Sequence, residues 1–269
     1  MSKLNFADFT FLTTTYEGRV PLLISTLTCV MNSVVNGEFQ VQWYDDQTST
    51  NLVAYSYAKD MLLRIARATG NMVCIVPINE ALSVAHSKKI SLKRNYFVNL
   101  DDDLIISPRS LERLLESTQK GIADVITIGV MDADNSRGFK DFDEVRYTSM
   151  EHFLQHHPPG KAKHHYFANE FTFHNQKWIS QLYCMTQEVY QDMIIWRPVL
   201  DKFTQRGIRG YDIVLENQLA ASKYSIALHS GNEAIHIGLE EPYIGGQWTG
   251  TDSIATTVVS TKDGFNVSQ

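Results

Sequence analysis

Over residues 9 to 130 the chain alternates short β-forming stretches with helix-forming ones, and few folds accept that order. Phe9 to Thr14 (FTFLTT) is rich in β-branched and aromatic residues and reads as a strand. Arg19-Val20-Pro21 opens a helix, with proline in its first turn and Leu23, Leu27 and Val30 on one face. Gln40 to Tyr44 predicts a second strand, and Asn51 to Thr69 a helix closed by Gly70. Met72 to Val76 is a third strand, ended by Pro77, and Asn79 to Leu92 a helix. Tyr96 to Leu100 is a fourth strand, Ser107-Pro108 caps a helix from Arg109 to Gln119, and Asp124 to Val130 is a fifth strand. Such alternation predicts an α/β fold, a mainly parallel sheet flanked by helices. Ligands of these sheets bind beyond the carboxyl ends of the strands.

The alternation stops at Met131. Residues 131 to 177 are polar and turn-rich, an insertion of the kind that forms a lid or an acceptor loop, or else stays disordered. The pattern resumes with a strand over Trp178 to Met185, helices over Gln187 to Phe203 and Tyr211 to Ser222, and the β-like stretches YSIALHS and AIHIG. This order predicts one domain over residues 1–245, in halves 1–130 and 131–245, with the later β stretches forming a small region of their own. A Gly-, Thr- and Ser-rich tail, 246–269, is expected to be loosely ordered.

A net charge of -6 gives no global basic field for nucleic acid or anionic membranes. Cys29, Cys74 and Cys184 are isolated, as expected of buried thiols in a reducing compartment. The longest apolar stretch, Val20 to Met31, is too short to span a bilayer. With no signal peptide at the N-terminus, a cytoplasmic location is expected.

The chemistry concentrates at YFVNLDDDLI, where Asp101, Asp102 and Asp103 follow directly on the fourth strand. Like charges so close raise one another's pKa, so a positive partner is expected among them. In an extended chain Asp101 and Asp103 share a face and Asp102 points away. Two converging carboxylates suit a hard cation, Mg2+ or Mn2+, which keeps positions for phosphate oxygens. A metal–diphosphate site is one reading; a solvated turn whose acids cap the next element is the other.

At this motif the sequence resembles the GT-A glycosyltransferases, particularly the family 2 group, which hold the metal on a nucleotide-sugar diphosphate with an Asp-x-Asp motif after a strand. FLTTTYEGRVPLLISTL is similar to the family's hydrophobic run and T-x-Y-N-R, with Glu17-Gly18 where Asn is common. VQWYDDQTSTN resembles V-D-D-x-S-x-D, and GYDIVLENQLAASKYSIAL resembles the E-D-x-x-L-x-x-R helix and its following strand. The resemblance spans about Phe9 to Gly238 and implies a GT-A, Rossmann-like fold with a nucleotide-binding half followed by an acceptor-binding half.

It further implies that Thr14 and Tyr16 line the nucleotide pocket, Tyr16 packing on the base. Asp46 would accept the imide proton of uracil or thymine, a proton that cytosine lacks. Asp101 and Asp102 would bind the nucleotide sugar, and Asp103, Asp101 and His236 the Mn2+ or Mg2+ ion. Asp212 would be the general base, with Glu216 one turn on as the fallback. The implied activity is metal-dependent hexosyl or pentosyl transfer from a UDP- or dTDP-sugar to the hydroxyl of a glycan or other acceptor, with inversion. A nucleic-acid acceptor at the basic loop Lys161 to His165 is disfavoured by the net acidity.

Two other readings compete. A binding module for nucleotide sugars or glycans fits the departures at Tyr211 and Gln218, which stand for the family's Glu and Arg. A haloacid-dehalogenase-like phosphatase shares the D-x-D strand end, but Leu104 stands where that motif has glycine.

Overall fold

A computed structural model describes residues 3–44, 48–78, 94–132, 171–173, 179, 181–193, 218–219, 221–236, 258–261 and 264–267. β1 (Leu4–Asn5) and β3 (Val34–Val35) pair in parallel as a small sheet. The main sheet takes β2 (Phe9–Thr15), β4 (Glu38–Tyr44), β5 (Met72–Ile78), β6 (Tyr96–Leu100), β7 (Leu104–Ile106), β8 (Val125–Asp132), β9 (Phe171–Phe173), β10 (Leu182–Thr186) and β11 (Ile226–His236). The helices are α1 (Val20–Ser33), α2 (Ser49–Thr69), α3 (Pro108–Lys120) and α4 (Gln187–Met193). β12 (Val258–Thr261) and β13 (Gly264–Val267) form an antiparallel hairpin.

Across the main sheet the order is β5-β4-β2-β6-β10-β8-β11-β7, with β9 also on β11. β5, β4, β2 and β6 are parallel neighbours. β10 runs antiparallel to both β6 and β8, so β8 and its parallel partner β11 keep the direction of the first four. Only β7, β9 and β10 oppose it, which makes the sheet mainly parallel, as the alternation predicts. Every residue of β2 is buried, as a central strand covered on both faces requires.

Helix boundaries follow local chemistry. Pro21 sits in the first turn of α1, and the Thr48 hydroxyl caps α2 by accepting the Asn51 N–H. Ser107 caps α3 in the same way through Ser110, and α2 and α3 end on Gly70 and Gly121 in the left-handed conformation that glycine adopts without a steric penalty. On one face of the sheet, α1 to α3 bury Leu23, Leu27, Leu62 and Leu114 against Phe11, Phe39, Val98 and Ile126. On the other face, Val189 and Tyr190 of α4 and Leu219 pack on Leu12, Phe97, Tyr183 and Met185. Among the described residues no helix is long and apolar enough to cross a membrane.

Several details differ from the sequence reading. β5 runs through Pro77 to Ile78. It is an edge strand among the described residues, where a missing N–H costs no ladder bond. β7 is a three-residue strand that follows the aspartates at once. The two β stretches near residue 230 are one strand, β11, interrupted by a register shift between His229 and Ala234. Within the tail, β12 and β13 pair, and β13 lies beside β11. The predicted helix over 79–92 and most of the 131–177 insertion lie outside the described residues.

Candidate active site

Because β2, β4 and β6 are parallel neighbours, their carboxyl ends open on one edge of the sheet. Tyr16 follows β2, and Asp101 to Asp103 follow β6. The three aspartates do not continue the strand. They form a turn into β7, so the alternation of an extended chain does not apply, and Asp102 and Asp103 meet the same partner.

That partner is Arg19, at the N-cap of α1. Its Nε donates to Asp102 Oδ1 at 2.8 Å, and a terminal guanidinium nitrogen donates to Asp103 Oδ2. Both aspartates are buried, 5% and 3% exposed. The Thr26 hydroxyl, on α1, donates to the Asp102 carbonyl at 3.0 Å and accepts the Leu104 N–H at 2.9 Å. The Asn99 amide donates to Asp101 Oδ1 and to the Gln181 carbonyl, which also accepts the Asp101 N–H. The turn is thus tied to α1 on one side and to the segment before β10 on the other.

Burial pushes the Asp102 carboxyl up to about 6 from an ordinary 3.8, and Arg19 pulls against that rise. With the folded pKa raised, the native state holds this proton more tightly than the unfolded chain. Its contribution to stability is complete below pH 3.8 and is lost as pH rises through about 6. Relative to Asp102→Asn, the metal-free wild type is therefore expected to lose a few kcal/mol of stability between about pH 4 and pH 7. Denaturant titrations across that range check this; a pH-independent difference would contradict it.

Asp102 Oδ2 is buried, and among the described residues no hydrogen bond of normal geometry reaches it, although the Thr15 side chain acts on the carboxyl. Among the described residues no three His, Cys, Asp or Glu side chains form a metal cage. Yet two buried carboxylates already gathered round a positive group present the hard-oxygen donor set that Mg2+ or Mn2+ takes when a diphosphate completes its shell. His236 pairs through the backbone with Leu104, and that register brings the end of β11 beside the acidic turn. His229, by contrast, is an interior residue: Ser117 lies 2.6 Å from its Nε2 and Arg113 3.3 Å from its Nδ1, both on α3.

The nucleotide-side residues are less uniform. Thr14 is buried and its hydroxyl donates to Gln42 Oε1 at 3.3 Å. Tyr16 is half-buried ahead of the single helical turn Glu17–Arg19, and its ring lies over Gly18. A Cβ on Gly18 would come within 2.9 Å of the Tyr16 ring, so glycine leaves the room that the ring occupies. Asp46 and Asp212 lie outside the described residues. The described residues on either side of Asp46 are tied to one another. Trp43, at the end of β4, is fully buried and donates to Asn51 of α2 at 2.7 Å, and Thr48 caps that helix. An open groove of about 620 Å³ runs from Glu17 and Val20 to Ser49, Val53 and Tyr57 of α2.

Arg19, Thr26 and Asn99 are the residues that sequence reasoning missed. Three adjacent acids call for a cation, and Arg19 follows Glu17-Gly18 one residue later than the arginine of the T-x-Y-N-R pattern, so one of the three had a signal. Thr26 and Asn99 had none, because their role depends on how α1 and β6 pack.

A family model described as glycosyl transferase family 2 matches residues 11–182. No curated protein matches the sequence. Similar solved structures include Staphylococcus aureus TarS 1-349, at 13% identity and a TM-score of 0.48 over 85% of this chain and 60% of that one. A Pyrobaculum calidifontis mannosyltransferase in complex with GDP-Man and Mn2+ is similar at 11% identity and 0.44, over 69% and 46%. The 4-diphosphocytidyl-2C-methyl-D-erythritol synthase of Anaerococcus prevotii matches at 11% and 0.45, over 85% and 89%. The chain therefore spans less than two thirds of the length of the first two.

Proposed function

Because the chain belongs to glycosyl transferase family 2, we propose that it moves a hexosyl or pentosyl unit from a UDP- or dTDP-sugar to an acceptor hydroxyl. The observation that best supports this reading is the buried Asp102–Asp103 turn, set where β6 ends beside β2 and backed by the end of β11. It sets paired carboxylates at the carboxyl end of β6, the edge at which sheets of this kind take ligands.

In this reading residues 1–130 bind the nucleotide and 131–245 the acceptor. The Tyr16 ring packs on the base, with Thr14 lining the pocket. Asp46 accepts the imide proton, which favours uracil or thymine over cytosine. Asp101, oriented by Asn99, and Asp102 bind the nucleotide sugar. Asp103, Asp101 and His236 would hold Mn2+ or Mg2+, which when bound neutralises charge on the departing diphosphate. Asp212 takes the proton of the acceptor hydroxyl, and a single displacement then inverts the anomeric carbon.

A thermal-shift panel of UDP, dTDP, GDP and CDP, each with and without Mn2+, tests the donor and the metal together. UDP or dTDP is expected to raise Tm only when Mn2+ is present, through ligand-linked stability. Equal stabilisation by GDP would overturn the donor, and stabilisation indifferent to Mn2+ would overturn the metal.

A further inference from the structure

Arg19 holds the place that a cation bound to the aspartates would need. Its side chain is 18% exposed, against 7% for Asp102 and 5% for Asp103, so Arg19 is the more accessible member of the ion pairs. An ion approaching from solvent meets a positive charge already paired with its ligands. A carboxylate oxygen cannot serve a guanidinium and a divalent ion equally well, because the two cations repel across it. Arg19 also sits at the N-terminus of α1, where the helix dipole favours an anion.

We propose that Arg19 is a resident counter-ion which a divalent cation displaces from Asp103, and that the displaced guanidinium turns to the donor diphosphate. Cation and diphosphate then strengthen each other's binding, since each removes a cost that the other meets alone, and such coupling is reciprocal. Thr26 keeps its hold on the Asp102 carbonyl and the Leu104 N–H, so the turn stays in place while the partners exchange. This inference rests on the metal-dependent reading above.

The test is Mn2+ binding followed by electron paramagnetic resonance of the free ion, with and without UDP, on wild type, Arg19→Gln and Arg19→Lys. Arg19→Gln is expected to bind Mn2+ alone more tightly than wild type, on the order of tenfold, and to gain less from UDP than wild type does. Arg19→Lys is expected to fall between, because a point charge does not span both carboxylates. It carries the comparison by itself if Arg19→Gln fails to fold. A residue that merely braces the turn gives the opposite sign: its loss loosens the carboxylates and weakens Mn2+ binding. Weaker or unchanged Mn2+ affinity in the folded variants overturns the proposal. If Asp103→Asn abolishes binding in that case, the metal reading survives and only the counter-ion role falls. A wild type that takes no Mn2+ even with UDP removes both.

Discussion

Asp103→Asn is expected to lower sugar transfer by on the order of a thousandfold, equivalent to about 4 kcal/mol of transition-state stabilisation, without unfolding the protein. Asparagine has nearly the same shape and still offers an oxygen to Arg19, so the ion pair becomes a hydrogen bond and the turn keeps its anchors at Thr26 and Asn99. What it loses is the negative charge that a hard cation requires. The variant is therefore expected to bind UDP with no Mn2+ dependence, and to release a sugar at a rate close to that of the variant without metal. Steady-state rates across an Mn2+ titration, with circular dichroism as the control for folding, decide the matter. Transfer within tenfold of wild type, still dependent on Mn2+, would remove Asp103 from the reaction.

Asp212→Asn is expected to reduce kcat by about 10²- to 10⁴-fold, the usual contribution of a general base, while donor binding stays as it was. The separation follows from the division of labour. In the proposed reading the donor is held at the ends of β2, β4 and β6, whereas a base acts only on the acceptor oxygen. Retained metal-dependent UDP binding together with lost transfer would also distinguish an enzyme from a module that only binds nucleotide sugars. A rate unchanged in Asp212→Asn would move the base elsewhere, with Glu216 the first alternative, or leave a retaining mechanism.

The regular part of this fold is legible because its signals are local. Leu23, Leu27 and Val30 recur at helical spacing, Ser107-Pro108 announces a helix start, and Gly70 marks a helix end without reference to anything distant. Pro77 shows where local reasoning stops. Proline ends a strand in the middle of a sheet but not at its margin, and only the strand order reveals which applies to β5. The single strand β11 read as two stretches because Ser230-Gly231-Asn232-Glu233 interrupts its apolar pattern, although the backbone bulges there and continues. At the acidic motif the residue types pointed to a cation-binding edge, but their directions did not follow from an extended chain. The turn into β7 brings Asp102 and Asp103 together on Arg19, from a residue more than eighty positions earlier. His236 enters the sequence reading only through the family resemblance; its backbone pairing opposite Leu104 is a tertiary fact.

The double bond of the Thr26 hydroxyl, one to the carbonyl of the turn and one to its amide, has a bearing on how this protein moves. Through Thr26 the acidic turn is bound to α1 whether or not Arg19 holds its carboxylates, and α1 is rooted through Leu23 and Leu27 in the main core. The acidic turn is then not a gate. Whatever opens and shuts in the proposed reaction has to do so around this fixed jaw.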